Sequence, residues 1–301
     1  MKKEGLHRGW IVLTIASVIS CVALLESCHK DDTVTSTTNT ASAAQDAATS
    51  VANALAINNG GIIDQIGDVS DIASAASSQS EAGVIFNKYA FDSVYTNVSK
   101  SYDSTTEWWT LTLDLQRFGD YRTATFTRVY QYQFLNSSNA PQKYWLSGTD
   151  TAYSMHFKIV SGTGTFTNLY ISHHLFSLSG EWMVTGTNTN VFTINTVNGG
   201  LYTRVGADTL STYNAIRTLN DSLSLTFTNV TGPRGSRLLL QTATSGTITG
   251  TYDAVVSFTS GSLYAQRTIH DTISITLANG VAHIYINGVH FRADCRTGAI
   301  L

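Results

Sequence analysis

Residues 273–293 read ISITLANGVAHIYINGVHFRA, and this stretch decides the fold class. Apolar and polar residues alternate, and Asn279-Gly280 and Asn287-Gly288 interrupt the alternation with the dipeptide that favours two-residue hairpin turns. With those turns in place, Ile275 faces Ile284, Ile284 faces Phe291 and Ile286 faces Val289. One face then carries Ile273, Ile275, Leu277, Ala282, Ile284, Ile286, Val289, Phe291 and Ala293, all of them apolar. A slip of one residue would bury His283, Tyr285, His290 and Arg292 instead, so the register is strongly specified. Such a face needs a cover, either a second sheet or closure into a barrel.

The same period of two runs back along the chain. Trp109, Leu111, Leu113 and Leu115 alternate with Trp108, Thr110, Thr112 and Asp114. Ala124, Phe126, Tyr130, Tyr132 and Phe134 then oppose Thr123, Thr125, Thr127, Gln131 and Gln133. Further signals at Ser147-Gly148, Ser161-Gly162, Ser179-Gly180, Asn198-Gly199-Gly200, Gly232-Pro233-Arg234-Gly235, Ser245-Gly246 and Ser260-Gly261 read as hairpin joints. No helical stretch separates them, which argues against βαβ units. Residues 84–301 are therefore expected to form an antiparallel meander of about 12 to 15 strands. The architecture is mainly all-β, a β-sandwich first and a large barrel or half-barrel as the alternative.

Upstream the period changes. Ala44, Ala48, Val51 and Leu55 recur at helical spacing and stop at Asn58-Asn59-Gly60-Gly61; Ile62, Ile66, Val69 and Ala73 repeat the pattern. A helical hairpin over 41–57 and 62–79, within a segment 41–80, is the expected result. Its narrow, alanine-rich stripe suggests light packing, with Asp64, Asp68 and Asp71 on other faces. Residues 28–40 are polar, threonine-rich and aperiodic, as a tether would be.

Composition narrows the function. Threonine occurs 42 times and charged residues make up only 13 % of the chain, so the surface is neutral and polar. Without residues 1–27, 15 basic residues stand against 19 acidic ones, a balance that excludes a nucleic-acid partner. No GxSxG, HExxH, Walker, GxGxxG, CxxC or EF-hand pattern is present, and no cofactor or metal is implied. Glu107 beside Trp108-Trp109 and Glu181 beside Trp182 have the acid-and-aromatic pairing of glycosidase clefts, yet most aspartates read as turn residues and offer no second acid. Catalysis is not the leading expectation, and no catalytic residue is assigned.

The N-terminus supplies an address. Lys2, Lys3 and Arg8 precede an apolar run from Trp10 to Leu25, shorter than the ~20 residues of a membrane span. Ser27-Cys28 then stands before His29-Lys30-Asp31-Asp32. This layout resembles that of bacterial lipoproteins, and the Cys-His-Lys-Asp-Asp start is similar to the acidic surface-export signal of Bacteroidetes lipoproteins. The resemblance implies removal of residues 1–27, acylation of Cys28, and an outer-membrane or surface location in the cell envelope. Val18-Ile19-Ser20-Cys21 fits the lipoprotein box better, so Cys21 is the alternative anchor, but cleavage there would leave an apolar stub. Cys295 completes the cysteine set, and the fold is not stapled by disulfides.

Several residues are candidate sites. Trp108, Trp109, Trp145 and Trp182 are the expected ligand contacts, because a tryptophan exposed on a polar β surface is a low-entropy platform. Core packing is the competing role for at least two of the four. His283, Tyr285, His290 and Arg292 form a polar face that suits an anion or sugar; His173 and His174 point to opposite faces of a strand and cannot share a metal. An Asp-Ser/Thr dipeptide followed by an aliphatic residue or threonine uses seven of the sixteen aspartates, against roughly two expected from composition. It resembles the O-glycosylation acceptor of exported Bacteroidetes proteins, which makes Thr33, Ser93, Ser104, Thr151, Thr209, Ser222 and Thr272 candidate glycan carriers. An aspartate closing a turn before a strand explains the dipeptide equally well. The whole reads as an envelope lipoprotein that binds a glycan or an envelope protein without catalysis. A carrier of an apolar ligand in a barrel-like cavity is the alternative, and a glycoside-active enzyme the third reading.

Overall fold

The computed structural model describes residues 36–74, 93–119, 122–147, 149–169, 171–212 and 215–301. The chain divides into two compact units, residues 1–41 and 42–301. The described part of the first unit is the start of a helix; all the strands belong to the second. Cys21, Cys28 and Thr33 lie outside the described residues, as do Glu81 and the side chain of Ser93.

Helix α1 (Ser36–Leu55) is followed by a 3-10 turn at Ile57–Asn59 and by helix α2 (Ile62–Ser74). The strands are β1 (Ser93–Asp103), β2 (Trp108–Gly119), β3 (Arg122–Leu135), β4 (Pro141–Gln142), β5 (Leu146–Ser147), β6 (Asp150–Thr151), β7 (Ser154–Thr167) and β8 (Ile171–Thr185). They continue with β9 (Val191–Thr196), β10 (Tyr202–Thr212), β11 (Ala215–Pro233), β12 (Ser245–Ser260), β13 (Leu263–Ala278), β14 (Val281–Ile286) and β15 (Val289–Asp294). A short helix, α3 (Arg237–Ala243), interrupts the β11–β12 connection. This corrects the expectation that no helix separates the strands.

The fold is mainly antiparallel β, preceded by a helical hairpin, as the alternation requires. One sheet runs in the order β1-β2-β3-β7-β8-β10-β11-β12-β13-β14-β15, with β9 paired to β8 and β11 and β4 to β3. The pairs Ile275–Ile284, Ile284–Phe291 and Ile286–Val289 all form, and His283 faces Arg292 while Tyr285 faces His290. The inward face is buried except near the sheet edge, where Phe291 is half-buried and Val289 is 45 % exposed.

What covers this face is the hairpin. Arg117 on β2 donates to the carbonyl of Ile57, and the Ile57 amide donates to the carbonyl of Cys295, just past β15, at 3.1 Å. β2 and β15 are nine steps apart in strand order, about 43 Å in a flat sheet at ~4.8 Å per step. A single residue reaches both, so the sheet is rolled around the helices. Every residue of α2 from Ile62 to Ala73 is buried, and α1 contributes Ala44, Ala47, Ala48, Val51, Ala52, Ala54 and Leu55 to the same apolar core as the strands. Light packing of the hairpin was the wrong expectation. A slender alanine helix is what the narrow interior of a rolled sheet admits, because larger side chains would overpack it.

Two further expectations are corrected. Ser161-Gly162 and Ser179-Gly180 are not turns; they lie inside β7 and β8. The β3–β7 register shifts beside Val160, the β8–β10 register shifts beside Phe176, and the β7–β8 ladder breaks between the Ile159–Gly180 and Gly164–Leu175 pairs. These are β-bulges, which turn successive residues to the same side. Nor do most aspartates sit in turns: Asp208, Asp221 and Asp271 lie in mid-strand with their side chains buried. In these three Asp-Ser/Thr dipeptides the aspartate points in, and Thr209, Ser222 and Thr272 fall at the outward positions of the pleat.

Candidate functional site

The outward side of β2, β3, β7 and β8 presents mostly Thr, Gln and His, the reverse of the apolar outer band of a membrane barrel. Among the described residues no helix is long and apolar enough to cross a membrane. On this face one aromatic cluster stands out. Trp108, at the start of β2, lies across Gln133 of β3 from His156 and Lys158 of β7. Its ring centroid is 5.0 Å from that of His156, and Lys158 Nζ is 4.7 Å from the ring. His156 Nε2 and Lys158 Nζ converge on Glu181 Oε1 of β8, at 2.6 and 3.6 Å. Gln133 Nε2 donates to the carbonyl of Thr106 at 3.2 Å. Strand pleating puts these four side chains on one side, and the β1–β2 turn, with Glu107 at a φ of 60°, brings the tryptophan in over them. The cluster combines an aromatic surface with donors and acceptors whose charges are paired internally.

The other tryptophans separate by role. Trp109 and Trp182 are core residues and are corrected as ligand contacts. Trp109 donates from Nε1 to the carbonyl of Lys143 at 2.6 Å and stacks on Tyr132. Trp182 is fully buried among Phe157, Tyr202 and Phe227. Trp145 is half-buried, its Nε1 bonded to the carbonyl of Thr187 at 3.0 Å and its ring 5.0 Å from the Arg234 guanidinium.

At the other end of the sheet His283 Nδ1 and His290 Nε2 are 3.1 Å apart, with their rings 5° from parallel, and Tyr285 stacks on His290 at 4.7 Å. The two nitrogens point at each other as donor and acceptor. No group of three or more His, Cys, Asp or Glu side chains arranged for a metal occurs among the described residues. His173 is buried and His174 exposed, on opposite faces. Of the glycan candidates, Ser104 and Thr272 are exposed, whereas Thr151, Thr209 and Ser222 are half-buried. Thr272 Oγ1 also donates to Asn287 Oδ1 at 3.2 Å.

The interior holds polar networks that sequence reasoning missed. Asp64, Asp68 and Asp71 are spaced i, i+4, i+7 and share one face of α2. Arg128 of β3 donates to Asp64 at 2.8 Å and to Asp68 at 2.6 Å, Arg117 pairs with Asp64, and Arg237 of α3 reaches Asp64, Asp68 and Asp71 at 2.7–3.0 Å. Tyr130 Oη donates to Asp68 at 2.7 Å. Burial alone would raise Asp64, but the guanidiniums of Arg117, Arg237 and Arg128 outweigh it and hold the carboxyl well below its usual range. Asp71 keeps only Arg237, and burial pushes it up to about 7. The legible signal was arginine at inward strand positions opposite a helix with three aspartates on one face.

A second network joins α1 to β8, β10 and β11. Ser50 Oγ donates to Asp221 and lies 3.4 Å from Asp208. Asp208 Oδ1 is 2.7 Å from His173 Nδ1, and Arg204 Nη2 is 2.6 Å from His173 Nε2. Arginine must donate there, so His173 is the neutral tautomer carrying its proton on Nδ1; burial and Arg204 both lower its pKa. Burial, with the charge of Asp208 adding to it, pushes Asp221 up to about 6. Both networks are closed off from solvent, so they hold the hairpin inside the sheet and present nothing to a ligand.

No protein-family model, curated protein or solved structure matches this chain.

Proposed function

We propose that this protein is an envelope lipoprotein, anchored through Cys28, that binds a glycan or another envelope component without catalysis. The observation that carries the binding half is the Trp108 cluster: an outward indole beside His156, Lys158, Glu181 and Gln133 on a neutral polar sheet. An aromatic face with hydrogen-bonding groups around it suits a ligand that is apolar on one side and polyhydroxylated at its edge. The anchor rests on the resemblance of residues 1–32 to a lipoprotein signal. The alternative of an apolar-ligand carrier needs an internal cavity, and α1 and α2 occupy the interior that would supply it. A glycoside-active role needs two facing carboxylates, whereas Glu181 is engaged by His156 and Lys158.

The binding surface is tested by retention of the full chain, in detergent, on immobilised envelope polysaccharide and envelope protein fractions. Trp108→Ala is expected to weaken retention by about thirtyfold or more, since truncating a central aromatic anchor costs roughly 2 kcal/mol or more. Unchanged retention of that variant would remove Trp108 from the interface.

A further inference from the structure

We infer that the same outer face contains a second, built subsite, a groove over β2, β3, β7 and β8 that takes a neutral polyhydroxylated ligand, a segment of uncharged polysaccharide. This rests on the reading of that face as a binding surface and extends it away from Trp108.

The groove has a volume of about 520 Å³, within the range of small-molecule sites. Thr125, Thr127, Thr163 and Thr165 form its middle, with Asp114 on one side and His174 on the other. The bulges lie beside it. Val160 and Phe176 are outward there, at 47 % and 48 % exposure, and Phe176 packs its ring 4.5 Å from that of His174, which lines the groove. An exposed phenylalanine on a strand whose other outward residues are mostly polar is an aromatic platform next to the groove.

The lining selects the ligand class by elimination. No lysine or arginine lines the groove and Asp114 does, so an anion is disfavoured. Asp114 is the sole carboxylate lining it and already accepts from Thr127 Oγ1 at 2.7 Å and Asn97 Nδ2 at 3.1 Å, too few ligands for a hard cation. Hydroxyl-rich walls do not match an apolar ligand. A sugar hydroxyl both donates and accepts, as a threonine hydroxyl does, and two of the walls already pair that way: Thr125 and Thr165 hydroxyls are 2.9 Å apart across the strands. With Phe176 beside the groove and Trp108 about 20 Å farther along β2, an extended chain has a stacking ring at two separate places on one face.

Affinity electrophoresis of the full chain in gels containing soluble β-glucan, α-glucan, mannan or xylan, with polygalacturonate as the charged control, tests this. Retardation by at least one neutral polymer is expected, weakened about tenfold or more by Phe176→Ala and by Asp114→Asn. Phe176 is exposed, so its truncation leaves the fold intact, which an unchanged melting temperature checks. Loss on Trp108→Ala with no change in either groove variant would overturn the subsite and leave the proposed function standing. Loss in the groove variants alone would keep the subsite and remove Trp108. Retardation by polygalacturonate alone, or by no polymer, overturns the neutral-glycan inference.

Discussion

At the scale of the residue, the notable groups are carboxylates buried inside the roll, which were expected on other helix faces or in turns. A buried charge is tolerable only when paired, and losing one partner costs about 3–5 kcal/mol; here Asp64, Asp68 and Asp71 meet Arg117, Arg128 and Arg237. Asp221 is less well served: burial outweighs the nearby Arg204 charge and the Ser50 hydrogen bond, and Asp208 sits close by as a second negative charge. Its folded pKa, about 6, lies above the unfolded value near 3.8. A raised carboxyl adds stability below the unfolded value and loses it as pH rises through the folded one. The stabilising contribution of Asp221 is therefore full only below pH 3.8 and gone well above pH 6, a swing of about 3 kcal/mol over that whole range. Asp71 changes in the same direction, and Asp64, whose pKa is lowered, in the opposite one. Asp221→Asn should raise the melting temperature at pH 7.5 and change it little at pH 3. An equal shift at both pH values, read by thermal melts, would contradict this account of the site.

At the scale of the element, α2 works by letting arginine lie against it. A Cβ at Gly67 would come within 2.8 Å of Cζ and Nη1 of Arg237. That guanidinium is pinned by three aspartates and cannot swing away. Alanine is the better helix former by about 1 kcal/mol, yet Gly67→Ala should lower the melting temperature, because displacing Arg237 uncouples the network. A rise would show that helix propensity dominates and that Arg237 is loosely held. The strands were legible because a period of two with one apolar face admits one register, as in residues 273–293. The hairpin's existence and its turn at Asn58–Gly61 were legible too. Its place was not: Ala44, Ala48 and Val51 look like a weak stripe on an open surface and like a good fit inside a roll. Serine-glycine pairs misled because glycine serves close packing inside a sheet as readily as a turn: a Cβ at Gly162 would come within 2.8 Å of Leu178, and one at Gly180 within 3.2 Å of Tyr202. The bulges at Val160 and Phe176 had no sequence signal, whereas outward placement of Trp108 followed from its alternation with Trp109.

At the scale of the whole molecule, a threonine-clad sheet is rolled around an ion-paired hairpin, and its outer face is the surface for which binding is proposed. Inward aspartates explain three of the Asp-Ser/Thr dipeptides through the pleat, with no turn involved, and leave Thr209, Ser222 and Thr272 on the outward side where a modifying enzyme would meet them. Acylation by more than one chain holds a protein stably at a bilayer, and it would turn this face toward the surroundings of the cell. The proposed function places the face by its anchor, so the chemistry of Cys28 tests the account most directly. Mass spectrometry of the N-terminal peptide from the native membrane fraction should find the chain starting at Cys28, with acyl chains on that residue and nothing from residues 1–27. An unmodified Cys28 within a peptide that still contains Leu25-Glu26-Ser27 would contradict it.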